Sequence, residues 1–479
     1  MNYQILFYTL GWIFNFQAIF LLLPSIVALV YRESSGWCFL ITAAVTGIIG
    51  AALTIKKPKN TQFHSREGFV LVALGWVLMS LIGAIPMWIS GAIPNYADAL
   101  FETVSGITTT GATILSSVEA MPKCVNFWRC FSNWIGGMGV VVFMMTILPA
   151  IGSNGSMYLM RAESPGPSFG KLVPKLKKTA MLLYGMYIGM TLIQLILLLC
   201  GGLDFFDSLC VSIATAGTGG FGIKDDGFSG YSTYVQIVVT IFMFLFGVNF
   251  KFYFLLLMKK FKEAFMIEEV IWYTILFGAA TILITIDIFP LIGTIGGSLK
   301  HSAFQVASIM TTTGFSTVDF NQWPIFAQTI LLILMFVGAC AGSTGGGMKV
   351  SRFIIYIKSA HKEIASLLHP NSVNKIQMDR KGIDHETIRS ANIYLIIYIL
   401  ILGVSMLIVS LNGLDMVTTV TSVITCFNNV GPGFGIVGPM GNFGSLSIMS
   451  KIVLILDMLL GRLEIFPIIV LLFRDTWKR

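Results

Sequence analysis

The chain has 479 residues, of which 55% are hydrophobic and only 11% charged. Soluble domains carry about 25% charged residues. This composition, with a mean hydropathy of +0.82, therefore excludes a soluble enzyme and predicts an all-α polytopic membrane protein in a lipid bilayer. The net charge of +8 is not a nucleic-acid signal, because the bases sort by membrane side.

Ten hydrophobic runs are expected to span, at about 5–31, 36–55, 67–90, 124–149, 179–202, 231–258, 267–293, 324–348 (interrupted), 390–411 and 449–473. Most of the 31 Lys and Arg fall on one side of them, among them Lys56, Lys57, Lys59, Arg66, Arg161, Lys171, Lys251, Lys349, Arg352 and Arg474. The other side holds Arg32, Lys123, Arg129, Lys224, Lys300 and Lys451. The positive-inside rule then puts both termini in the cytoplasm. Outer acids such as Glu33, Asp98, Glu102, Asp204, Asp225 and Asp415 outnumber the outer bases and predict a vestibule that concentrates cations. Helix capping accounts equally well for each of them.

Residues 1–60 read as an accessory two-helix hairpin. Beyond them one short element occurs four times: Thr108-Thr109-Thr110-Gly111, Thr218-Gly219-Gly220-Phe221, Thr311-Thr312-Thr313-Gly314-Phe315 and Asn428-Asn429-Val430-Gly431. Each copy ends a moderately apolar stretch and precedes a polar loop and a long hydrophobic run, which marks an internal repeat. Asp98, Asp207 and His301 lie 13 residues before their glycines, and Asp415 lies 16 before Gly431. Asn95, Asp204, Ser298 and Asn412 are the expected N-caps, with His301 at the cap of the third helix. Each stretch is then a capped helix too short to span, ending at a glycine that tolerates φ > 0. A short helix and a Thr/Gly strand between two spanning helices make a pore-loop unit. Its carbonyls can replace the water around a bare cation, and the helix C-terminus points at the same place.

The units are 61–178 with a linker at 152–178, 179–266, 267–388 with a polar linker at 366–389, and 389–479. Together they predict four pore-loop repeats (helix, pore helix, filter loop, helix) around a pseudo-fourfold pore. The linkers read either as solvated loops or as contacts for a soluble partner.

In the third unit Gly338-Ala339-Cys340-Ala341-Gly342-Ser343-Thr344-Gly345-Gly346-Gly347 interrupts the second run. Each Gly costs a helix interior about 1 kcal/mol relative to Ala, so the run is expected to unwind. Gly342, Ser343, Thr344, Gly345, Gly346 and Gly347 would form a gate beneath the strands, or else pack small residues closely. The stretch lacks the G-K-[ST] ending of a phosphate loop. In the last run Arg462 must face protein or water. It reads either as a pore-facing barrier and latch for the glycine loop or as the partner of Asp457 or Glu464. No nucleophile–base pair or metal cluster suggests an enzyme, so no catalytic residue and no organic cofactor is assigned.

These motifs, with Phe101-Glu102-Thr103-Val104-Ser105-Gly106, Gly431-Pro432-Gly433, Gly347-Met348-Lys349 and Gly461-Arg462-Leu463-Glu464, resemble the TrkH/KtrB/HKT superfamily of potassium transporters, and most of all its bacterial TrkH branch. The resemblance covers about residue 67 to the end, and the leading hairpin resembles the extra pair of that branch. It implies that Gly111, Gly220, Gly314 and Gly431 are filter glycines. Carbonyls at Thr109, Thr110, Thr218, Gly219, Thr312, Thr313, Asn429 and Val430 would join them in binding dehydrated K⁺, the transported ion. A Ser at the first filter position goes with Na⁺ transport in plant HKT relatives; here it is Gly111. The second unit has Gly222 where Ser is usual, and only Phe315 keeps its Ser, as Ser316. The resemblance further implies a homodimer of complete pores in the bacterial plasma membrane and a cytosolic RCK-type nucleotide-binding regulatory subunit. Function then reads as gated K⁺ uptake, or as K⁺/H⁺ or K⁺/Na⁺ symport through the same filter.

Overall fold

The computed structural model describes residues 1–58, 65–137, 139, 176–369 and 375–477. The expected run 124–149 past 139, most of the 152–178 linker, part of the 366–389 linker and the bases Lys59, Arg161 and Lys171 lie outside the described residues.

Long apolar helices alternate with short ones. Helix α1 (Tyr3–Tyr31) starts at Asn2, whose side chain accepts from Ile5 N, and ends at Arg32 in a left-handed turn. It forms a hairpin with α2 (Gly36–Thr54). Then come α3 (Ser65–Ile89), the short α4 (Tyr96–Ile107) and α5 (Lys123–Gly137). Next are α6 (Leu176–Cys200), the short α7 (Phe205–Gly217), α8 (Thr233–Phe246), α9 (Phe250–Leu257) and α10 (Phe261–Phe265). The third stretch is α11 (Glu268–Ile292), α12 (Ile295–Met310), α13 (Ile325–Val337) and α14 (Val350–Leu368). The last is α15 (His385–Ser410), α16 (Met416–Phe427), α17 (Ile448–Arg462) and α18 (Phe466–Leu472). A small hairpin of β1 (Gln377–Met378) and β2 (Lys381–Gly382) lies in the polar linker before α15.

Among the described residues six helices, namely α1, α2, α3, α6, α11 and α15, are long and apolar enough to cross a membrane. Their Ile and Leu side chains, such as Ile48, Ile286 and Leu407, face outward, while Thr and Ser of the short helices are buried. This inverts the soluble pattern and suits a hydrocarbon surrounding.

Two expected runs are not single helices. The run 231–258 breaks between α8 and α9, which meet at 91°. Asn249 caps α9 by accepting from Lys251 N at 2.9 Å. The backbone groups freed at the break are taken up by the glycine stretch: Cys340 N donates to Gly247 O, Thr344 N to Phe246 O, and Phe250 N to Gly342 O. The run 449–473 breaks after Arg462, where Glu464 and Ile465 have positive φ and Phe466 N closes a tight turn on Glu464 O at 2.7 Å. Pro467 sits in the first turn of α18, where its missing N–H costs nothing. The expected interruption of 324–348 is present: residues 338–349 are not helical.

Candidate functional site

Three of the four short helices start at a side-chain cap. Asn95 accepts from Ala97 N at 2.9 Å, Asp204 from Asp207 N at 3.4 Å and Asp415 from Thr418 N at 3.0 Å. Two expected caps are corrected. Ser298 lies inside α12, which starts at Thr294 without a side-chain cap. Asn412 lies before the true cap Asp415 and accepts from Ser447 N instead. His301 is also inside α12, with Nδ1 against Thr317 Oγ1 at 2.9 Å. Local spacing identified a cap-forming residue in each case, but the chain entered the third helix four residues earlier and the fourth three residues later.

All four helices end alike. Thr110 N bonds to Ser105 O, Gly219 N to Ala214 O, Thr313 N to Ser308 O and Val430 N to Thr425 O, each five residues back. This bond closes a Schellman end, which needs a left-handed residue just before the donor. That residue is Thr109 (φ 55), Thr218 (φ 52), Thr312 (φ 59) or Asn429 (φ 55). A β-branched residue rarely adopts this conformation, yet three of the four are Thr. The glycines follow, at φ 78 for Gly111, 70 for Gly220, 87 for Gly314 and 96 for Gly431.

The glycines also face one another's neighbours in a closed circuit. A Cβ on Gly111 would lie 2.3 Å from Gly219 O, one on Gly220 1.8 Å from Thr313 O, one on Gly314 2.3 Å from Val430 O, and one on Gly431 2.6 Å from Thr110 O. Each glycine thus abuts the carbonyl preceding the next one, and the fourth returns to the first. A cavity of about 150 Å³ has all four on its wall. Asn429 Nδ2 links its strand to the first through Thr110 Oγ1 at 3.0 Å.

The glycine stretch 338–349 docks on the other face of this circuit. Gly346 N donates to Thr312 Oγ1 at 2.6 Å and Gly347 N to Asn428 O at 3.0 Å. Arg462 donates from Nη1 to Thr344 O at 2.8 Å and from Nη2 to Gly136 O at 2.7 Å. It is the last residue of α17 rather than mid-helix. The expected ion pairs with Asp457 or Glu464 are not formed. Ser405 Oγ donates to Asp457 at 2.7 Å, and Glu464 is held by both Nη atoms of Arg352.

Sequence reasoning missed the groups that anchor this loop. Lys349 and Arg352, read as cytoplasmic bases, are buried; Lys349 Nζ donates to Gly345 O and Arg352 stacks on Tyr394 at 4.0 Å. Buried Glu269 accepts from Ala341 N within the loop at 2.7 Å and from Ser351 N of α14 just after it at 3.1 Å. Only the Glu268-Glu269 pair at the start of an apolar run could have drawn attention to it.

Residues 36–476 match the family described as TrkH, cation transport protein. The chain belongs to the TrkH family. A TrkH-family chain is a multi-pass membrane transporter, not an enzyme. It is 35% identical over 468 residues to the Trk system potassium uptake protein TrkH of Escherichia coli K12, covering 96% of each. It is 31% identical to the protein of the same name from Halomonas elongata over the full length of both. The crystal structure of the potassium transporter TrkH from Vibrio parahaemolyticus superimposes over the whole of both chains with a TM-score of 0.88 at 29% identity.

Proposed function

We propose that this TrkH-family chain is the K⁺-conducting subunit of a bacterial potassium uptake system, a selective pore gated by its glycine loop. The observation that carries the reading is the closed circuit of Gly111, Gly220, Gly314 and Gly431, each against the carbonyl before the next. Backbone oxygens brought round one axis can stand in for the hydration shell of K⁺. The pore-loop units are then 61–178, 179–266, 267–388 and 389–479 around a pseudo-fourfold axis, with 1–60 as an accessory hairpin. The ligands are the carbonyls of Thr109, Thr110, Thr218, Gly219, Thr312, Thr313, Asn429, Val430 and the four glycines.

Residues 342–347 obstruct the path beneath the filter and Arg462 latches them, its guanidinium also repelling cations. The protein works as a homodimer in the plasma membrane, both termini cytoplasmic, with an RCK-type nucleotide-binding subunit moving the loop. Transport is channel-like: Asp457 of α17, a candidate acid for proton coupling, accepts from Ser405 Oγ of α15.

The test is K⁺ flux in liposomes. Reversal at the K⁺ Nernst potential at every pH and Na⁺ gradient is expected, and a reversal that follows either gradient identifies symport. Gly111→Ser should erode K⁺ over Na⁺ preference at least several-fold, because its side chain meets both a positive φ and the Gly219 carbonyl. Unchanged selectivity in that variant removes the first strand from the filter.

A further inference from the structure

Glu102 of α4 and Arg129 of α5 form an ion pair at 2.7 Å whose side chains are 0% and 1% exposed. Neither is part of the carbonyl circuit. Each, however, reaches the chain just beyond a filter glycine. Glu102 Oε1 accepts from Thr113 Oγ1 at 2.9 Å, and Oε2 accepts from Thr113 Oγ1 at 3.1 Å and Ile114 N at 3.0 Å. Those residues follow Gly111. Arg129 Nη1 donates to Gly222 O at 3.3 Å and to Asn126 Oδ1 at 3.0 Å, and its guanidinium lies 4.3 Å over the Phe221 ring. Those residues follow Gly220.

The third and fourth strands are held at the same level by neutral bonds. Ser308 Oγ donates to Phe315 O at 2.6 Å, and Thr421 Oγ1 donates to Phe434 O while accepting from Phe434 N. A charge pair between the first and second strands is costly in a dry interior, where removing one partner leaves a buried ion uncompensated. Arg129 is moreover on the wall of the cavity that the four glycines share, so its charge lies beside the outer approach of any cation.

We propose that Glu102 and Arg129 are positioning residues for ion selection. They clamp the outer ends of the first two filter strands to one another, and Glu102 neutralises a guanidinium that would otherwise repel K⁺ from the outer mouth. The proposal rests on the reading of 109–111 and 218–220 as filter. It accounts for a fixed, planar fork at this place: one guanidinium holds the carboxylate of α4 that binds the first strand and a backbone carbonyl of the second at once.

The experiment measures half-saturating K⁺ and the K⁺/Na⁺ permeability ratio in liposomes for the full chain and for Glu102→Gln, Arg129→Gln and the double variant. Glu102→Gln keeps the shape but frees the positive charge, and should raise half-saturating K⁺ about tenfold. Arg129→Gln loses the reach to Gly222 O and should lower K⁺/Na⁺ preference at least threefold. In the double variant charge balance returns, so half-saturating K⁺ should come back to within about twofold of wild type. Its selectivity should stay impaired, because the shorter side chain cannot span both strands. A single variant that inserts normally with wild-type values on both readouts overturns the proposal. Should the single variants fail to insert, the double variant decides, and a wild-type K⁺/Na⁺ ratio there overturns it. Absence of K⁺-selective flux in the wild-type protein itself would instead sink the pore reading.

Discussion

Arg462 shows how one side chain divides two readings that its position alone leaves open. A guanidinium within an apolar run needs protein or water around it, and both an acid on the same helix and a carbonyl on another element would satisfy it. The donors go to Thr344 O and Gly136 O, so neither Asp457 nor Glu464 takes its direct hydrogen bonds from this residue. Arg462→Ala should therefore leave folded yield near wild type and raise single-channel K⁺ conductance several-fold. Arg462→Lys should fall between, since an ammonium lacks the planar fork that spans two carbonyls. Arg352→Ala is the contrasting variant: it strands Glu464 and should lower the yield of folded protein. Loss of yield in Arg462→Ala with unchanged conductance would return Arg462 to a structural role.

At the scale of elements, the glycine loop and the break between α8 and α9 are one construction. A loop of residues 338–349 buried in protein must place its N–H and C=O groups somewhere. It finds Phe246, Gly247 and Phe250 on one side and Thr312 and Asn428 on the other. The bonds to Thr312 and Asn428 bring the loop against the residues that precede the proposed filter glycines, so close that a Cβ on Gly346 would lie 2.6 Å from Asn428 O. Gly346→Ala should push the loop off this seat. Basal K⁺ flux in liposomes that contain no soluble partner should rise several-fold. Flux that stays at the wild-type level in correctly inserted protein would locate the closure elsewhere.

At the scale of the whole molecule, the carbonyl circuit closes within one chain, so a dimer would hold two independent pores. Mixed dimers of wild-type and Gly111→Ser chains should show two separate K⁺/Na⁺ selectivities in single-channel records. One intermediate selectivity would mean that a pore is shared between chains. The segments that follow Gly111 and Gly220 are clasped together by Asp225, which accepts from Ser117 Oγ and Val118 N, each at 2.6 Å. Partial burial raises its pKa, but the bonds from Ser117, Val118 and Glu119 prevail and hold it below the ordinary carboxylate value. A depressed pKa means that the clasp contributes fully above the unfolded carboxyl pKa of about 3.9 and is lost as pH falls through the lower folded value. Amide hydrogen exchange at Val118 and Glu119 should be about tenfold faster in Asp225→Asn than in wild type at pH 7. The two proteins should converge only once the pH has fallen through the depressed folded pKa of Asp225, below the ordinary carboxyl value of about 3.9. Equal exchange at pH 7 would show that the clasp holds nothing.

The sequence alone determined the features that short-range chemistry dictates. Apolar runs such as 267–293 demand a membrane, four Thr/Gly or Asn/Gly turns at like spacing demand a repeated left-handed turn, and five glycines in 338–347 cannot stay helical. It also carried enough motif to place the chain in its family. The tertiary structure decided the features that depend on partners distant in the chain. Gly247–Asn249 becomes a break only because the loop near residue 342 supplies bonds to the freed backbone. Lys349 and Arg352 read as solvated bases until Gly345 and Glu464 arrive beside them. Glu102 and Arg129, 27 residues apart, meet because α4 and α5 pack side by side. Burial makes such pairings compulsory, since a polar group shut away from water must find a partner, but local sequence does not say which partner packing will bring.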